Sequence, residues 1–416
     1  MINKRNTKSQ PVEYRQVHRA YQSLKNNGKA AGVDGLSMED FEKDKEKLLY
    51  KIWNRMTSGS YFPPPIRAVD ISKKDGGVRT LGIPTVSDRI AQMVVKHAIE
   101  PRLEKIFHED SYSYRPKRSA HDALKVTRER CINYDWVIDL DIKGFFDNIN
   151  HELLEKCLTK HIEEKWILLY INRWLKAPFV NKTGKIIPRN KGASQGGVIS
   201  PLLANLFLHY VFDEWMSKYY ADIKFERYAD DIIVHCRSKK QGQFLLSKIN
   251  KRLNDCFLSL HPDKTKLIYC KDYKRKDDED NVSFTFLSHT FKPRKYQSKY
   301  GKGFFLGFGP ALSMKVQKAK ILELKTLYQE FFSIGSLKGI ALHINAKIRG
   351  WINYYGRAHL WALKPIFNAL NFRLAKWLKR SHKRFKYSLG YAFKYLKKLC
   401  RFYPDLFAHW ERGFTV

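Results

Sequence analysis

Two adjacent aspartates near the middle of the chain have surroundings that suit metal-dependent phosphoryl transfer. Asp230 and Asp231 lie between the short apolar runs 225–228 and 232–236, which predict two strands joined by a tight turn. Phosphoryl transfer between nucleotides uses two divalent ions about 4 Å apart, and carboxylate oxygens are ligands that Mg²⁺ prefers. An aspartate pair at a turn is by itself more often an ordinary turn, so a metal site needs further ligands.

A third carboxylate ends another predicted strand. Residues 135–141 predict a strand that finishes at Asp141. Because side chains alternate along a strand, Asp139 and Asp141 face the same side, roughly 7 Å apart. Two such aspartates can also be solubilising charges at a strand end. Three aspartates from two neighbouring strands, however, would supply the ligands that a two-ion site requires.

The elements around these carboxylates mix helices with short strands. Helical patterns cover 14–24, 38–56 and 88–103, and Asn150 followed by Glu152 opens another helix. Short extended runs lie at 66–71, 136–141, 225–228, 232–236 and 284–291. This mixture lacks a regular alternation of strand and helix, and therefore predicts an α+β fold with mainly antiparallel strands.

The net charge is the most unusual property of the composition. The 416 residues include 77 Lys and Arg against 41 Asp and Glu, a formal net charge of +36. Such an excess predicts a polyanionic partner, either nucleic acid or an anionic membrane. Residues 1–10 lack the apolar core of a signal peptide, and no apolar run is long enough to span a bilayer. Six scattered cysteines without a C-x-x-C pair argue against a zinc site or a disulfide framework, so a cytoplasmic protein with no membrane partner is expected.

Helical periodicity becomes continuous after about Gly309. Apolar residues recur at three- and four-residue steps from Leu337 to Tyr355. No acidic residue occurs between Glu330 and Asp405, whereas Lys and Arg recur throughout. The sequence therefore predicts three domains: a helical N-terminal extension at 1–60, a mixed domain with the aspartates at 61–309, and a basic helical domain at 310–416.

Three motifs, in this order along the chain, resemble those of reverse transcriptases. Residues 139–147 are similar to the family's first carboxylate motif, and 193–205 to its Q-G-x-x-x-S-P motif. Arg227 followed by Tyr228-Ala229-Asp230-Asp231 is similar to its Y-x-D-D box. Further blocks resemble bacterial group II intron reverse transcriptase–maturases, at 32–35, 81–84, 113–116, 284–287 and 348–355. The likeness covers nearly the whole chain.

The resemblance implies a right-hand polymerase with fingers and a palm that holds a small antiparallel sheet, followed by an α-helical thumb or maturase domain. It implies that Asp141, Asp230 and Asp231 are the catalytic ligands of two Mg²⁺ ions, with Asp141 and Asp230 bridging both ions. Asp139 is expected to have a supporting structural role. The implied activity is RNA-directed DNA synthesis, in which dNTPs extend a primer along an RNA template.

The same resemblance assigns two residues to the sugar and base of the incoming nucleotide. Phe146 lies five residues after Asp141, where a bulky ring leaves no room for a ribose 2′-hydroxyl and so selects dNTPs. The alternative for Phe146 is a place in the core, for which Phe145 is better placed. Gln195 is followed by Gly196-Gly197, which would let the backbone approach the nucleotide closely.

Three cations are assigned to the phosphates of the nucleotide. Lys73 and Arg79 flank a predicted hairpin turn and match the positions in the fingers that grip the triphosphate. A solvated hairpin is the alternative. Lys264 matches a lysine proposed to protonate the leaving pyrophosphate, and an ordinary surface lysine is the alternative.

Cations are also the predicted contacts to RNA. Cations on helix faces can follow phosphates, whereas the aromatic residues among them either build the core or stack on bases. Most of these aromatics are expected in the core. The predicted contacts are Arg349, Arg357, Arg373, Lys376 and Arg380, together with Arg115 on the template backbone.

The chain departs from many group II intron proteins, which carry a DNA-binding segment and an H-N-H endonuclease domain with cysteine pairs. No such pairs occur here, so endonuclease activity is not expected. The expected role is that of a group II intron maturase that binds a structured RNA. One alternative is a domesticated group II-like reverse transcriptase that copies a dedicated non-coding RNA, for example in antiphage defence. A non-catalytic RNA-binding splicing factor fits less well, because it predicts the loss of a metal carboxylate. The sequence carries no signal for an oligomeric state.

Overall fold

The computed structural model describes residues 9–26, 30–72, 77–298, 301 and 303–416. Lys73, a predicted triphosphate contact, lies outside these residues. The helices are α1 Tyr14–Leu24, α2 Met38–Lys43, α3 Lys45–Thr57, α4 Val86–Leu103, α5 Ala120–Asn133, α6 Phe145–Asn148, α7 His151–Thr159, α8 Lys165–Lys176, α9 Ser200–Leu208, α10 Glu214–Tyr219, α11 Lys239–Asp255, α12 Met314–Ile334, α13 Leu337–His359, α14 Lys364–Ser381, α15 Leu389–Phe402 and α16 Ala408–Glu411. A π-helical turn at His209–Asp213 joins α9 to α10, and 3-10 turns lie at Leu360–Leu363 and Lys383–Phe385.

Most strands are short, as predicted, but two of them have nine residues each. The strands are β1 Ile66–Ser72, β2 Val78–Ile83, β3 Trp136–Asp141, β4 Phe179–Val180, β5 Ile186–Ile187, β6 Phe225–Tyr228, β7 Asp231–Cys236, β8 Lys266–Tyr269, β9 Phe284–Phe286, β10 His289–Gln297 and β11 Phe304–Leu312. Most of the paired strands run antiparallel. This confirms the predicted α+β fold.

The chain divides into two units, each built from separate stretches of sequence. The first comprises Met1–Ser119, Leu140–Val234 and Gln243–Thr265, and the second comprises Ala120–Asp139, His235–Gly242 and Lys266–Val416. The three consecutive domains expected from the sequence stay a prediction.

The first unit combines helices with a four-stranded sheet. The sheet order is β2-β1-β4-β5, and β1 pairs antiparallel with β2 and parallel with β4. β6 and β7 form the predicted hairpin. Helix α4 begins where the Thr85 hydroxyl accepts the Asp88 N–H at 3.2 Å, and α7 begins where Asn150 accepts the Leu153 N–H at 2.9 Å. Both contacts satisfy donors that a helix start leaves unpaired, and the second confirms the predicted start at Asn150.

In the second unit, the apolar stripes predicted after residue 310 are buried. Ile340, Ile344 and Ile348 of α13 pack in one core with Leu370 and Trp377 of α14. Helices α12 and α15 contribute to the same core. Among the described residues, no helix is both long and apolar enough to cross a membrane. All six cysteines are free thiols.

Candidate active site

The turn between β6 and β7 carries two of the predicted metal ligands. Tyr228 pairs with Asp231 across the hairpin, so Ala229 and Asp230 form the turn itself. Ala229 has a φ of 58°, in the left-handed region that costs a residue with a Cβ roughly 1–2 kcal/mol. Contacts from neighbouring residues must therefore hold the turn in this shape.

Arg227 supplies those contacts. Its side chain is fully buried, and Nε and Nη2 donate to the two carboxylate oxygens of Asp213 at 2.7 and 2.6 Å. Nη1 donates to Asn205 Oδ1 at 3.1 Å and to the carbonyl of Ala229 at 3.4 Å. The guanidinium thus joins the strained turn to the elements behind it.

Asp213 reaches Arg227 from the end of the π-helical turn. π-helical turns are rare and occur frequently at functional sites. Burial is the largest single effect on Asp213 and opposes its ionisation. The charge and hydrogen bonds of Arg227, together with the hydrogen bond and charge of His209, outweigh it jointly and hold the pKa of that carboxyl below its usual value. The pair is therefore ionised, and each partner satisfies the charge of the other. Sequence reasoning noted Arg227 as part of a motif but missed this role, because nothing in the sequence shows a π-helical turn.

The three predicted metal ligands line a single open cavity of about 850 Å³. The same cavity is lined by Arg79, Phe146, Gln195 and Lys264. All predicted nucleotide-binding residues within the described part of the chain therefore line this one cavity. Among the described residues, no three His, Cys, Asp or Glu side chains form a group that would hold a metal ion. Mg²⁺ at phosphoryl-transfer sites typically takes one or two carboxylates and fills the remaining positions with water and substrate phosphates, so an open arrangement fits this ion.

The carboxylates of the cavity repel one another. Desolvation raises the pKa of Asp230, and the negative charge of Asp141 raises it further. Lys264 Nζ lies 3.4 Å from Asp141 Oδ2, and the backbone N–H of His261 donates to the Asp141 carbonyl at 2.7 Å. Hard oxygen donors under mutual repulsion are suited to divalent cations.

Two residues of β2 form hydrogen bonds with Gln195 and hold it in place. Arg79 Nε donates to Gln195 Oε1, and the Gly82 N–H donates to the Gln195 carbonyl at 2.9 Å. Gly196 has a φ of 127°, and a Cβ there would lie 2.4 Å from the Gly82 carbonyl oxygen. Only glycine at position 196 allows the backbone to approach β2 this closely. The sequence did not show that β2 would be its neighbour.

The two phenylalanines of α6 differ in their surroundings. Phe146 lines the cavity, and its carbonyl accepts the Ala193 N–H at 2.8 Å. Phe145 is only 1% exposed and packs against Phe207 with ring centroids 6.5 Å apart. Both phenylalanines are buried and both line the cavity. Phe146 is the more exposed ring, at 8%, and its contact with the sugar stays a prediction.

A buried polar network supports the segment after Gln195. Gln92 Oε1 accepts the Val198 N–H at 2.8 Å, and Gln92 Nε2 donates to Asp88 Oδ2 at 2.9 Å. Asp88 Oδ1 accepts from Trp174 Nε1 at 2.7 Å and from the Tyr61 hydroxyl at 3.1 Å. Burial raises the pKa of Asp88 to about 6, against these hydrogen bonds, which favour the carboxylate. The sequence predicted only that Asp88 begins a helix.

The structure places Arg115, the predicted template contact, among partners within the protein. Its side chain is 5% exposed and forms an ion pair with Glu104 at 2.7 Å. Nη1 also donates to the carbonyls of His108 at 2.6 Å and Ser111 at 2.7 Å. These contacts give Arg115 a structural role, and its contact with the template stays a prediction. The preceding residue, Tyr114, has a φ of 56° and lines the cavity instead, and a left-handed φ at a tyrosine cannot be read from sequence.

The predicted RNA contacts of the second unit fall into two groups. Arg349, Arg357, Lys376 and Arg380 are exposed. Arg373 is partly buried and donates to the carbonyls of Ala369 at 2.9 Å and Ile321 at 3.3 Å. Arg373 therefore joins α14 to α12, and its role as an RNA contact stays a prediction.

Comparison with known proteins gives two family matches. Residues 71–299 match the family described as reverse transcriptase (RNA-dependent DNA polymerase). Residues 323–396 match the family described as group II intron, maturase-specific domain.

Individual proteins show the same likeness. Group II intron-encoded protein LtrA of Lactococcus lactis subsp. cremoris is 36% identical over 191 residues, which are 46% of this chain and 32% of LtrA. Protein YkfC of Escherichia coli (strain K12) is 29% identical over 309 residues, 65% of this chain and 77% of YkfC. The putative COX1/OXI3 intron 1 protein of Saccharomyces cerevisiae is 29% identical over 185 residues, 44% of this chain and 22% of that protein. The matched part of the chain thus spans about a third of LtrA and less of the yeast protein.

The first match covers more than half of the 416 residues and includes all three aspartates of the cavity. The second lies within the basic helical part of the chain, in the second unit. The chain therefore belongs to the reverse transcriptase family and carries a group II intron maturase-specific domain.

Proposed function

We propose that the chain is an RNA-directed DNA polymerase that extends a primer with dNTPs by two-metal phosphoryl transfer. The observation that carries the proposal is the single cavity lined by Asp141, Asp230 and Asp231 in a chain of this family. These carboxylates would hold two Mg²⁺ ions. The bound ions would lower the pKa of the attacking 3′-hydroxyl and neutralise charge on the leaving pyrophosphate.

The other residues of the cavity have separate tasks in this proposal. Arg79 and Lys264 carry positive charge that would hold phosphate oxygens of the nucleotide. Lys264, 3.4 Å from Asp141, would also give a proton to the pyrophosphate. Phe146 would exclude the ribose 2′-hydroxyl, and Gln195, fixed by Arg79 and Gly82, would contact the sugar or base.

We further propose that the maturase-specific domain binds a structured RNA through exposed cations. Arg349, Arg357, Lys376 and Arg380 are exposed in a stretch without acidic residues, and such a surface favours phosphates. Sequencing the RNA that co-purifies with the protein would identify the partner. A group II intron RNA would support the maturase role. A separate non-coding RNA would support the alternative, a domesticated reverse transcriptase that copies a dedicated RNA, for example in antiphage defence.

Primer extension tests the proposed activity. The purified chain should extend a DNA primer on an RNA template in the presence of dNTPs and Mg²⁺. Asp141→Asn and Asp230→Asn should each lower the rate by about a thousandfold or more, because loss of one ligand disrupts the ion site. Both variants should retain RNA affinity in a filter-binding assay.

An exposed aspartate outside the cavity provides the matched control. Asp222→Asn removes the same charge from the surface and should leave the extension rate unchanged. Full extension by Asp230→Asn would refute the site. No extension by the unmodified chain on several templates, with Mg²⁺ or Mn²⁺, would refute the activity.

A further inference from the structure

Helix α15 exposes aromatic and basic side chains along one face. Its inner face buries Ala392, Leu396 and Cys400, four residues apart. The opposite face presents Tyr391, Lys394, Tyr395 and Lys398, whose three- and four-residue steps place them side by side. Tyr391 is 63% exposed. Tyrosine rings left in solvent beside cations indicate a surface that a planar, anionic ligand would cover.

These side chains enclose a recess. Together with Arg384 and Phe385 they line a volume of about 360 Å³. The Tyr395 ring lies 5.1 Å from the Phe385 ring, and Lys394 Nζ lies 5.9 Å from the Tyr391 ring. Pockets for small ligands begin at about 300 Å³, so the recess is large enough for a single nucleotide but not for a duplex.

A second recess in the same unit has different chemistry. It measures about 600 Å³, and its lining consists of Lys376, Lys379, Arg380, Ser381, His382, Lys383 and Lys386. Four lysines and an arginine suit phosphates of any nucleic acid. The recess on α15 combines cations with tyrosine rings, so it suits a base as well as its phosphates.

We propose that Arg384, Tyr391, Lys394, Tyr395 and Lys398 form a binding site for an unpaired nucleotide of an RNA strand. The base stacks on a tyrosine ring, and the cations hold the adjacent phosphates. Bases within an RNA helix are stacked and lie behind a narrow major groove, so a ring can reach the face of a base only where the strand is unpaired. The site rests on the RNA binding proposed above and specifies which part of an RNA it takes.

Oligonucleotides with and without bases test this site. Binding of the full chain to a 12-nucleotide oligouridine, and to an abasic strand of the same length, is measured by fluorescence anisotropy over a series of salt concentrations. The unmodified chain should bind oligouridine about tenfold more tightly than the abasic strand, because stacking contributes only when bases are present. Tyr391→Ala and Tyr395→Ala should each reduce this preference to about twofold or less without changing the salt dependence.

The cations should show the opposite pattern. Lys394→Gln and Lys398→Gln should each reduce the slope of log affinity against log salt by about 0.7 and keep the preference for bases. Two matched controls should change neither quantity. Tyr219→Ala removes a 60% exposed tyrosine that also lies under a lysine, Lys218, at 5.4 Å, and Lys397→Gln removes an exposed lysine of α15 that does not line the recess.

The outcomes separate this site from the proposed function. RNA binding without a base preference, or a preference that survives both tyrosine substitutions, would overturn the site and leave general RNA binding intact. Displacement of oligouridine by vesicles containing phosphatidylserine, lost in Tyr391→Ala, would show a membrane site instead. No RNA binding at all by the unmodified chain would refute the RNA-binding function itself. Since no dNTP or Mg²⁺ is added, none of these results depends on polymerase activity.

Discussion

At the scale of the residue, the position of Asp230 depends on a strained turn and on the arginine behind it. Bidentate arginine–carboxylate pairs fix direction as well as charge. Removing one partner of a buried pair typically costs about 3–5 kcal/mol, because the other charge is left uncompensated. Arg227 and Asp213 are both fully buried, and the same guanidinium also reaches the carbonyl of Ala229. Arg227 is therefore a positioning residue for the carboxylates of the turn.

Arg227→Lys tests this role. Lysine keeps the charge but cannot donate to both Asp213 oxygens, Asn205 and Ala229 at once. We expect kcat for primer extension to fall about tenfold to a hundredfold, with little change in the KM for dNTPs. The control is Arg275→Lys, which alters a largely buried arginine paired with Asp272 in the second unit. If both variants lose kcat in proportion to a fall in Tm, Arg227 serves stability only.

Phe146→Ala tests the proposed selection between dNTPs and rNTPs. Removal of the ring opens space beside the sugar, so the efficiency of rNTP incorporation relative to dNTP should rise by about tenfold or more, a change of at least ~1.4 kcal/mol in discrimination. Single-nucleotide extension with each triphosphate measures the ratio. Phe207→Ala, which empties a core position outside the cavity lining, should lower Tm without altering the ratio. An unchanged ratio in Phe146→Ala would mean that Phe146 is a core residue that does not select the sugar.

At the scale of the element, periodicity and capping predicted most of what lies around the site. The β6–β7 hairpin, the helix that begins at Asn150 and the buried stripe of α13 were all predicted, because each depends on residues close in sequence. The contacts that hold the site together were not predicted, because many of them join residues far apart in the sequence. Gln92 meets Val198, 106 residues further along the chain, and Arg115 is buried by carbonyls whose positions depend on the tertiary fold.

The network on α4 gives a prediction about pH and stability. Burial raises the pKa of Asp88 to about 6, from about 3.9 in an unfolded chain. Between these two values the folded protein binds the proton more tightly than the unfolded chain does. The contribution of this group to stability is therefore greatest below about pH 4, and it is lost as the pH rises towards 6.

Asp88→Asn removes this titration. The free energy of unfolding is measured in urea for the variant and for the unmodified chain. From pH 4 to pH 7, the value for the variant should rise relative to that of the unmodified chain by as much as about 3 kcal/mol. Most of the shift should occur below about pH 6. The charge of Arg89 and the hydrogen bonds from Trp174, Gln92 and Tyr61 all act against burial. A shift in the opposite direction would mean that they outweigh it and that the carboxyl is ionised at lower pH.

At the scale of the whole molecule, the net charge of +36 provides a long-range attraction for nucleic acid. Such a charge raises association rates and accounts for nonspecific affinity, both of which fall with salt. From composition alone, the sequence predicted a polyanionic partner, either nucleic acid or an anionic membrane. It could not separate cations that face solvent from those that neutralise carbonyls at helix contacts, since both kinds recur at similar spacing in α14.

The salt dependence of RNA binding makes that separation measurable. Lys376 and Arg380 are exposed on α14, whereas Arg373 on the same helix donates to the carbonyls of Ala369 and Ile321. Each cation that contacts a phosphate releases counterions, so Lys376→Gln and Arg380→Gln should each reduce the slope of log affinity against log salt by about 0.7–0.9 for a structured RNA. Arg373→Gln should leave the slope unchanged and lower Tm, because it removes a contact between α14 and α12. A slope reduced as much by Arg373→Gln as by Lys376→Gln would show that Arg373 leaves its carbonyl partners to bind RNA, as the sequence first predicted.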